Sequence, residues 1–316
     1  MTRRVKSTFT IPGMAQTGWF LIMIAGLALV LVSTTTAAMA QKTSPSEGES
    51  RYAPFEGARI HYQNHGKGRD AVVLIHGWTC NIDHWRDQVP DFAKRGRVIA
   101  IDLPGHGQSD KPELEYSMDL FAQAIDAVMQ DAKVERAVLV GHSMGTPVAR
   151  QFYRKYPSKT LAIVIVDGGL RPYGNKESRE RFMATFRSPN YREAGEQMLI
   201  RIAGEHLAAE TQNRIRTSFQ STPHHVLLSA MESMNDDALY RPDKIDVPVL
   251  AILAKAPFWA PDTEQFLRSL APKLDFIMWE GVGHFLMMEK PQEFNEAVIA
   301  FLNKNSFLKE KVATGK

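Results

Sequence analysis

The chain has 316 residues, 44% of them hydrophobic and 23% charged, an ordinary globular composition that suits one large domain or two small ones. A single cysteine, Cys80, excludes an internal disulfide, and no CxxC or Cys/His cluster offers a metal site. A chain of this length buries a sizeable core and needs neither to fold.

Residues 1–40 differ from the rest. Arg3, Arg4 and Lys6 open the chain, residues 19–32 are an unbroken run of apolar residues and glycine, and Ala38-Met39-Ala40 supplies small residues at peptidase-reading positions. Basic, then apolar, then small is the order of a secretory signal peptide, with cleavage expected after Ala40. The rival, an uncleaved anchor, is disfavoured because a bilayer span needs about 20 apolar residues. The expected mature protein is therefore periplasmic or secreted, without a stable membrane anchor. Arg3-Arg4 leaves Sec and twin-arginine export open. Losing these three basic residues takes the formal charge from +3 to zero. The basic balance therefore gives no reason to expect nucleic acid or an anionic surface as a partner.

Residues 41–54 are polar, with Ser, Pro and Gly, and read as a flexible leader. Short apolar runs then recur at 71–75 (AVVLI), 97–101 (RVIAI), 137–140 (AVLV), 162–166 (AIVIV), 249–253 (VLAIL) and 276–278 (FIM). None alternates apolar with polar, which fits strands buried on both faces of a parallel sheet. Helical patterns lie between them at 117–130, 146–156, 262–270 and 291–302, with Ser117 as an N-cap and Pro147 in a first turn. This alternation predicts an α/β doubly wound, mostly parallel sheet. Residues 170–240 break the rhythm with helical patterns alone, at 177–186, 191–203, 208–219 and 226–234. So long an insertion is not a bare loop. It reads as a helical cap over the C-terminal edge of the sheet, splitting the core into 55–169 and 241–302. Residues 303–316 form a polar tail.

The fourth-from-last of these strands leads into Gly141-His142-Ser143-Met144-Gly145 and then a helix. Strand, Gly-x-Ser-x-Gly, helix is a nucleophile elbow: a turn so tight that side chains at the glycine positions would collide, holding the serine hydroxyl clear of the sheet. A serine hydroxyl needs a base, and the base an orienting acid. His284, in a glycine-rich loop after the last strand (GVGHF), is the expected base. His76-Gly77-Trp78 follows the first long strand, and the backbone N–H of Trp78 together with that of Met144 forms an expected oxyanion hole. His76 is expected to hold that loop by hydrogen bonds at the pocket edge, with Gly77 and Trp78 lining it. Cys80 has no evident base and reads as a packed or partly exposed thiol.

With HGW (76–78), DLPGHGQSD (102–110), GHSMG (141–145) and GVGHF (281–285) in this order, the chain resembles the α/β-hydrolase superfamily, in its capped serine-hydrolase branch. The resemblance spans roughly residues 55–302. It implies Ser143 as nucleophile, His284 as base, Trp78 and Met144 as oxyanion donors, and a structural role for the 102–110 stretch.

The chain departs from the family at the acid. Relatives carry it a few residues after the VLAIL-type strand, where this chain reads Ala254-Lys255-Ala256-Pro257-Phe258-Trp259-Ala260-Pro261-Asp262. Asp262 comes late and has the alternative reading of a helix N-cap. Asp167, directly after AIVIV and before Gly168-Gly169, is the preferred acid, at a place used by some relatives such as certain haloalkane dehalogenases. Phe258 and Trp259 are expected as an apolar pocket wall. His224-His225 in the cap reads as a solvated or structural pair.

The resulting expectation is an exported serine hydrolase that cleaves an ester or related acyl bond of a small or medium substrate through an acyl-enzyme, without a cofactor. Ser143 argues against the aspartate-nucleophile branch. Perhydrolase, lactonase, amidase and C–C hydrolase chemistry remain open, as does a ligand-binding sensor that kept the fold.

Overall fold

The computed structural model describes residues 48–204 and 207–307. The expected signal segment 1–40 lies outside them, as do residues 308–316 of the expected tail. Among the described residues no helix is long and apolar enough to cross a membrane.

Eight strands form one sheet: β1 (Glu49–Phe55), β2 (Ala58–His65), β3 (Asp70–Ile75), β4 (Arg97–Ile101), β5 (Arg136–His142), β6 (Thr160–Val166), β7 (Val249–Ala254) and β8 (Leu274–Trp279). Their spatial order is β1-β2-β4-β3-β5-β6-β7-β8. Strands β3 to β8 pair in parallel, and β2 is antiparallel to both β1 and β4. Five of the six apolar runs sit where both faces are covered, with Val72–Ile75, Val98–Ile101 and Ala137–Val140 fully buried; the sixth, 276–278 on the edge strand β8, is only half-buried and Met278 is exposed. The burial of the five is that expected of strands in a parallel sheet roofed by helices.

The hairpin β1–β2 replaces part of the expected flexible leader, because the chain is already paired from Glu49 onward. Its turn, Glu56-Gly57, has both residues at positive φ (48° and 82°), the backbone that suits a two-residue hairpin loop. At the sheet edge only Ala53 of β1 is buried, so the hairpin carries no apolar run to announce it.

The helices follow the expected alternation: α1 (Val89–Ala93), α2 (Met118–Asp131), α3 (Gly145–Lys155), then α4 (Lys176–Arg187), α5 (Tyr191–Ala203), α6 (Ala209–Ser221) and α7 (His224–Met234), then α8 (Thr263–Leu270), α9 (Leu286–Glu289) and α10 (Pro291–Lys304). Ser117 caps α2 by accepting from the Leu120 N–H at 3.1 Å. Helix α3 packs on α2, β5 and β6, whereas α1 packs on β4 and α10. Helix α10 runs on to Lys304, into the segment expected as a tail.

Helices α4 to α7 fill the interval between β6 and β7 and pack on one another. They meet the core through specific polar contacts. Arg214 of α6 donates to Asp83 Oδ2 at 2.9 Å and to the Asp83 carbonyl, and Trp78 Nε1 donates to the Leu227 carbonyl of α7 at 2.9 Å.

Candidate active site

Ser143 stands between the end of β5 and the start of α3, at φ 51°. A positive φ is costly for a residue with a side chain, and the surroundings enforce it. A Cβ on Gly141 would run into the Gly145 carbonyl, and a Cβ on Gly145 into the carbonyl of Ile75 in β3. The Ser143 N–H is tied across the sheet to the Val166 carbonyl of β6 at 2.9 Å. Neither the Met144 nor the Trp78 backbone N–H donates to another group among the described residues. Both residues line the same cavity as Ser143.

Asp167 follows β6 directly and is also at positive φ, 42°. It is almost fully buried. Its own N–H donates to Ile252 of β7 at 2.9 Å, and its Oδ1 accepts from the Ala254 N–H at 2.8 Å. Oδ2 is thereby turned to His284 Nδ1, 2.6 Å away. The two neighbouring strands thus hold the carboxylate in one orientation, the condition for steering an imidazole.

The His284 loop is fixed from both sides. The His284 N–H donates to the Ile202 carbonyl of α5 at 2.9 Å, and the Gly283 N–H donates to Glu289 Oε1 at 2.7 Å. A Cβ on Gly283 would strike the Ala203 carbonyl, so the loop and the end of α5 approach at backbone distance. His142 lies under this loop. Its Nε2 contacts the His284 carbonyl at 2.9 Å, and the two rings are 4.8 Å apart. Burial holds the His142 imidazole well below its usual pKa, with the neighbouring His284 acting in the same direction. His142 is thus a neutral donor that supports His284, a part hidden at the variable position of the GHSMG motif.

Asp262 does not reach His284. Its carboxylate is exposed and pairs with Arg171 through contacts of 2.7 and 3.1 Å, and Arg171 holds its pKa below the usual value. It stands at the N-cap position of α8, as the alternative reading expected, but its side chain makes no cap bond there. The long loop from Lys255 carries it away from the sheet, whereas Asp167 is delivered by the strand itself.

Ser143 and His284 open into one cavity of about 410 Å³, whose walls come from the core and the cap. The cap contributes Phe182, Met198, Leu199, Ile202, Met231 and Met234, residues the sequence reading did not single out. Their apolar spacing marked only helices; the roof they form requires four helices to fold together. Gly77, Trp78 and Phe258 line the cavity as expected. His76 does not: it is fully buried, with Nδ1 2.8 Å from the Gly77 carbonyl and Nε2 accepting the Leu103 N–H at 3.0 Å. Burial pushes its pKa down to about 4, which suits this accepting role. Trp259 is also displaced from the expected wall, packing against Tyr173 and Phe258 behind the lining. Cys80 lines the cavity, but burial pushes its thiol up to about 12, which leaves no thiolate to act as a nucleophile. His224 contacts the Phe186 carbonyl at 2.8 Å and stacks on Tyr191, and so is structural.

The profile of the alpha/beta hydrolase fold matches residues 70–291. The chain belongs to the α/β-hydrolase family. It is similar along most of its length to a protein of Paraburkholderia phymatum named 2-hydroxy-6-oxononadienedioate/2-hydroxy-6-oxononatrienedioate hydrolase, at 26% identity over 86% of this chain and 99% of the relative. Among solved structures, Est816, described as an N-acyl homoserine lactone degrading enzyme, is 28% identical with a TM-score of 0.70, covering 79% of this chain and all of Est816. An enol-lactonase from Burkholderia xenovorans shares the fold at a TM-score of 0.72 and 21% identity, covering 80% of this chain and all of its own. The protein is a hydrolase of this family, and its named relatives act on small molecules.

Proposed function

We propose that this hydrolase cleaves an ester or related acyl bond of a small or medium substrate through an acyl-enzyme on Ser143. The observation that carries the reading is the 2.6 Å pairing of buried Asp167 with His284 at the edge of the cavity into which Ser143 opens. In this mechanism His284 Nε2 takes the Ser143 proton as Oγ attacks the carbonyl carbon. Asp167 holds the imidazolium that forms, and the backbone N–H groups of Trp78 and Met144 receive the oxyanion. The imidazolium then protonates the leaving group. A water that gives its proton to His284 attacks the acyl-enzyme, and the acid departs with Ser143 restored. No step calls for a cofactor.

Est816 supports acyl-bond cleavage. The similarity to an oxononadienedioate hydrolase, nearly complete over that relative, favours C–C hydrolysis of a ketone as a second reading. Export with removal of residues 1–40 belongs to the proposal and rests on the basic, apolar and small segments in order.

The test is a p-nitrophenyl ester assay with organophosphonate labelling of wild type and Ser143→Ala. The expected loss of turnover is about 10⁴-fold or more, with labelling abolished. Equal labelling of both proteins would overturn the mechanism. A vinylogous diketone assayed in parallel decides between the two chemistries. N-terminal sequencing of exported protein checks for a start at Gln41.

A further inference from the structure

Among the described residues lining the cavity, one side chain carries a permanent charge: Arg179, on α4 of the cap. The same cavity is lined by the apolar side chains of Phe182, Met231 and Met234. Its side chain is only 14% exposed, and its partner is Asp237, 2.7 Å away and 71% exposed. A carboxylate so wet is screened and compensates a guanidinium weakly. Nη2 donates to Asp237 and Nη1 has one long contact, 3.4 Å to the Gly174 carbonyl; among the described residues Nε donates to no group. Asn235 also lines the cavity, and its amide nitrogen is buried without a partner.

A cation held at an apolar wall costs solvation unless something of opposite charge meets it. The planar guanidinium fork matches a carboxylate, and one cation matches a single negative charge. Resting on the serine-hydrolase reading above, we propose that the substrate is an acyl compound with a carboxylate distant from the scissile carbonyl. Arg179 binds that carboxylate and sets specificity, Asn235 adds a donor, and the apolar cap helices hold the chain between the two ends. Asp237 competes for the guanidinium from the solvent side.

The experiment compares p-nitrophenyl hexanoate with mono-p-nitrophenyl adipate, which differ at the far terminus only. Wild type is expected to have the lower KM for the adipate ester. In Arg179→Met the ratio of kcat/KM, adipate over hexanoate, should fall about 10- to 100-fold, the range for losing a hydrogen bond to a charged group. Arg179→Lys should retain part of the preference, since it keeps the charge and loses the fork. Asp237→Asn should raise the ratio about two- to fivefold. A ratio that stays constant in Arg179→Met and Asp237→Asn, or a wild type with no KM preference, overturns the proposal. Calorimetry on Ser143→Ala with monomethyl adipate and methyl hexanoate reads the same site without turnover. Tighter binding of the adipate, lost in Ser143→Ala/Arg179→Met, supports the proposal even if neither ester is hydrolysed, which would count against the acyl-enzyme alone. Absence of that difference overturns the specificity while leaving the chemistry of Ser143 standing.

Discussion

Every residue of β5 after Arg136 is buried, whereas α4, with 12 residues, buries only Met183 and Phe186. That contrast runs through the molecule. The candidate reacting groups are placed by the sheet: Ser143 is tied to Val166 and Asp167 to Ile252 by backbone bonds, and the Asp167 carboxylate accepts from the Ala254 N–H, all at buried strand ends. The cap lies across the cavity and meets the core in good part through arginine contacts such as Arg214 with Asp83 and Asp87, and Arg86 with Glu210. Strand-edge groups cannot drift without breaking buried hydrogen bonds, whereas a cap held by partly exposed ion pairs can adjust to what it covers. Under the proposed function, chemistry falls to the sheet and selectivity to the more adjustable cap.

The strongest way to break that division is Asp167→Asn. If the sheet alone orients the base, kcat on an activated ester should fall about 10⁴-fold with the melting temperature little changed. Normal turnover would mean that His284 is oriented by the cap, through its bond to Ile202.

The second test uses acid. His76 is pushed down to about 4, and His84 and His106 to about 3, each mainly by burial in the core. The unfolded chain, titrating near 6.5, binds more protons than the folded one below that pH. Stability is therefore lost as pH falls from about 6.5 toward 3, by about 2 kcal/mol for each such histidine at pH 5. Asp243, held down to about 2 chiefly by Arg154, begins to matter only below about pH 4. Calorimetric melting at pH 7, 6 and 5 should show a steady drop, and a flat profile would mean that these imidazoles are not held neutral.

A smaller effect sharpens the comparison from the cap side. Arg214→Met removes donors to Asp83 and Asp87 and should cost about 1.5–3 kcal/mol. Hydrogen exchange in α6 should accelerate while β3 to β7 keep their protection. Equal loss in both regions would show that cap and core unfold as one unit. The smallest change is expected of Asp262→Asn. It breaks an exposed pair with Arg171, and kcat should stay within about threefold of wild type.

Most of the core was legible because its signals are local. A short apolar run of four or five mostly β-branched residues between turn signals favours a buried strand, and Gly-x-Ser-x-Gly between strand and helix needs only the collision of neighbouring backbones. The six parallel strands and their order along the chain, the four helices of the insertion, and Ser143 at the elbow followed from residues a few positions apart. The edge hairpin did not, since β1 and β2 gain their partners from the sheet and have little apolar patterning of their own.

Sequence preferred Asp167 to Asp262, but no local pattern shows which of the two carboxylates reaches His284. Both follow a strand, and only the side-by-side pairing of β6 with β7 points one of them at an imidazole 117 residues away in sequence. The same holds for Arg179 and the roof of methionines and aromatics. Helical spacing says that a face is apolar, but which face closes over Ser143 is set when four helices pack together on the sheet. Short-range sterics act wherever the residues stand, so sequence alone determined the fold and the elbow. The pairing of Asp167 with His284, the cavity wall and the one permanent charge among its described lining residues depend on contacts between distant segments, and tertiary structure decided them.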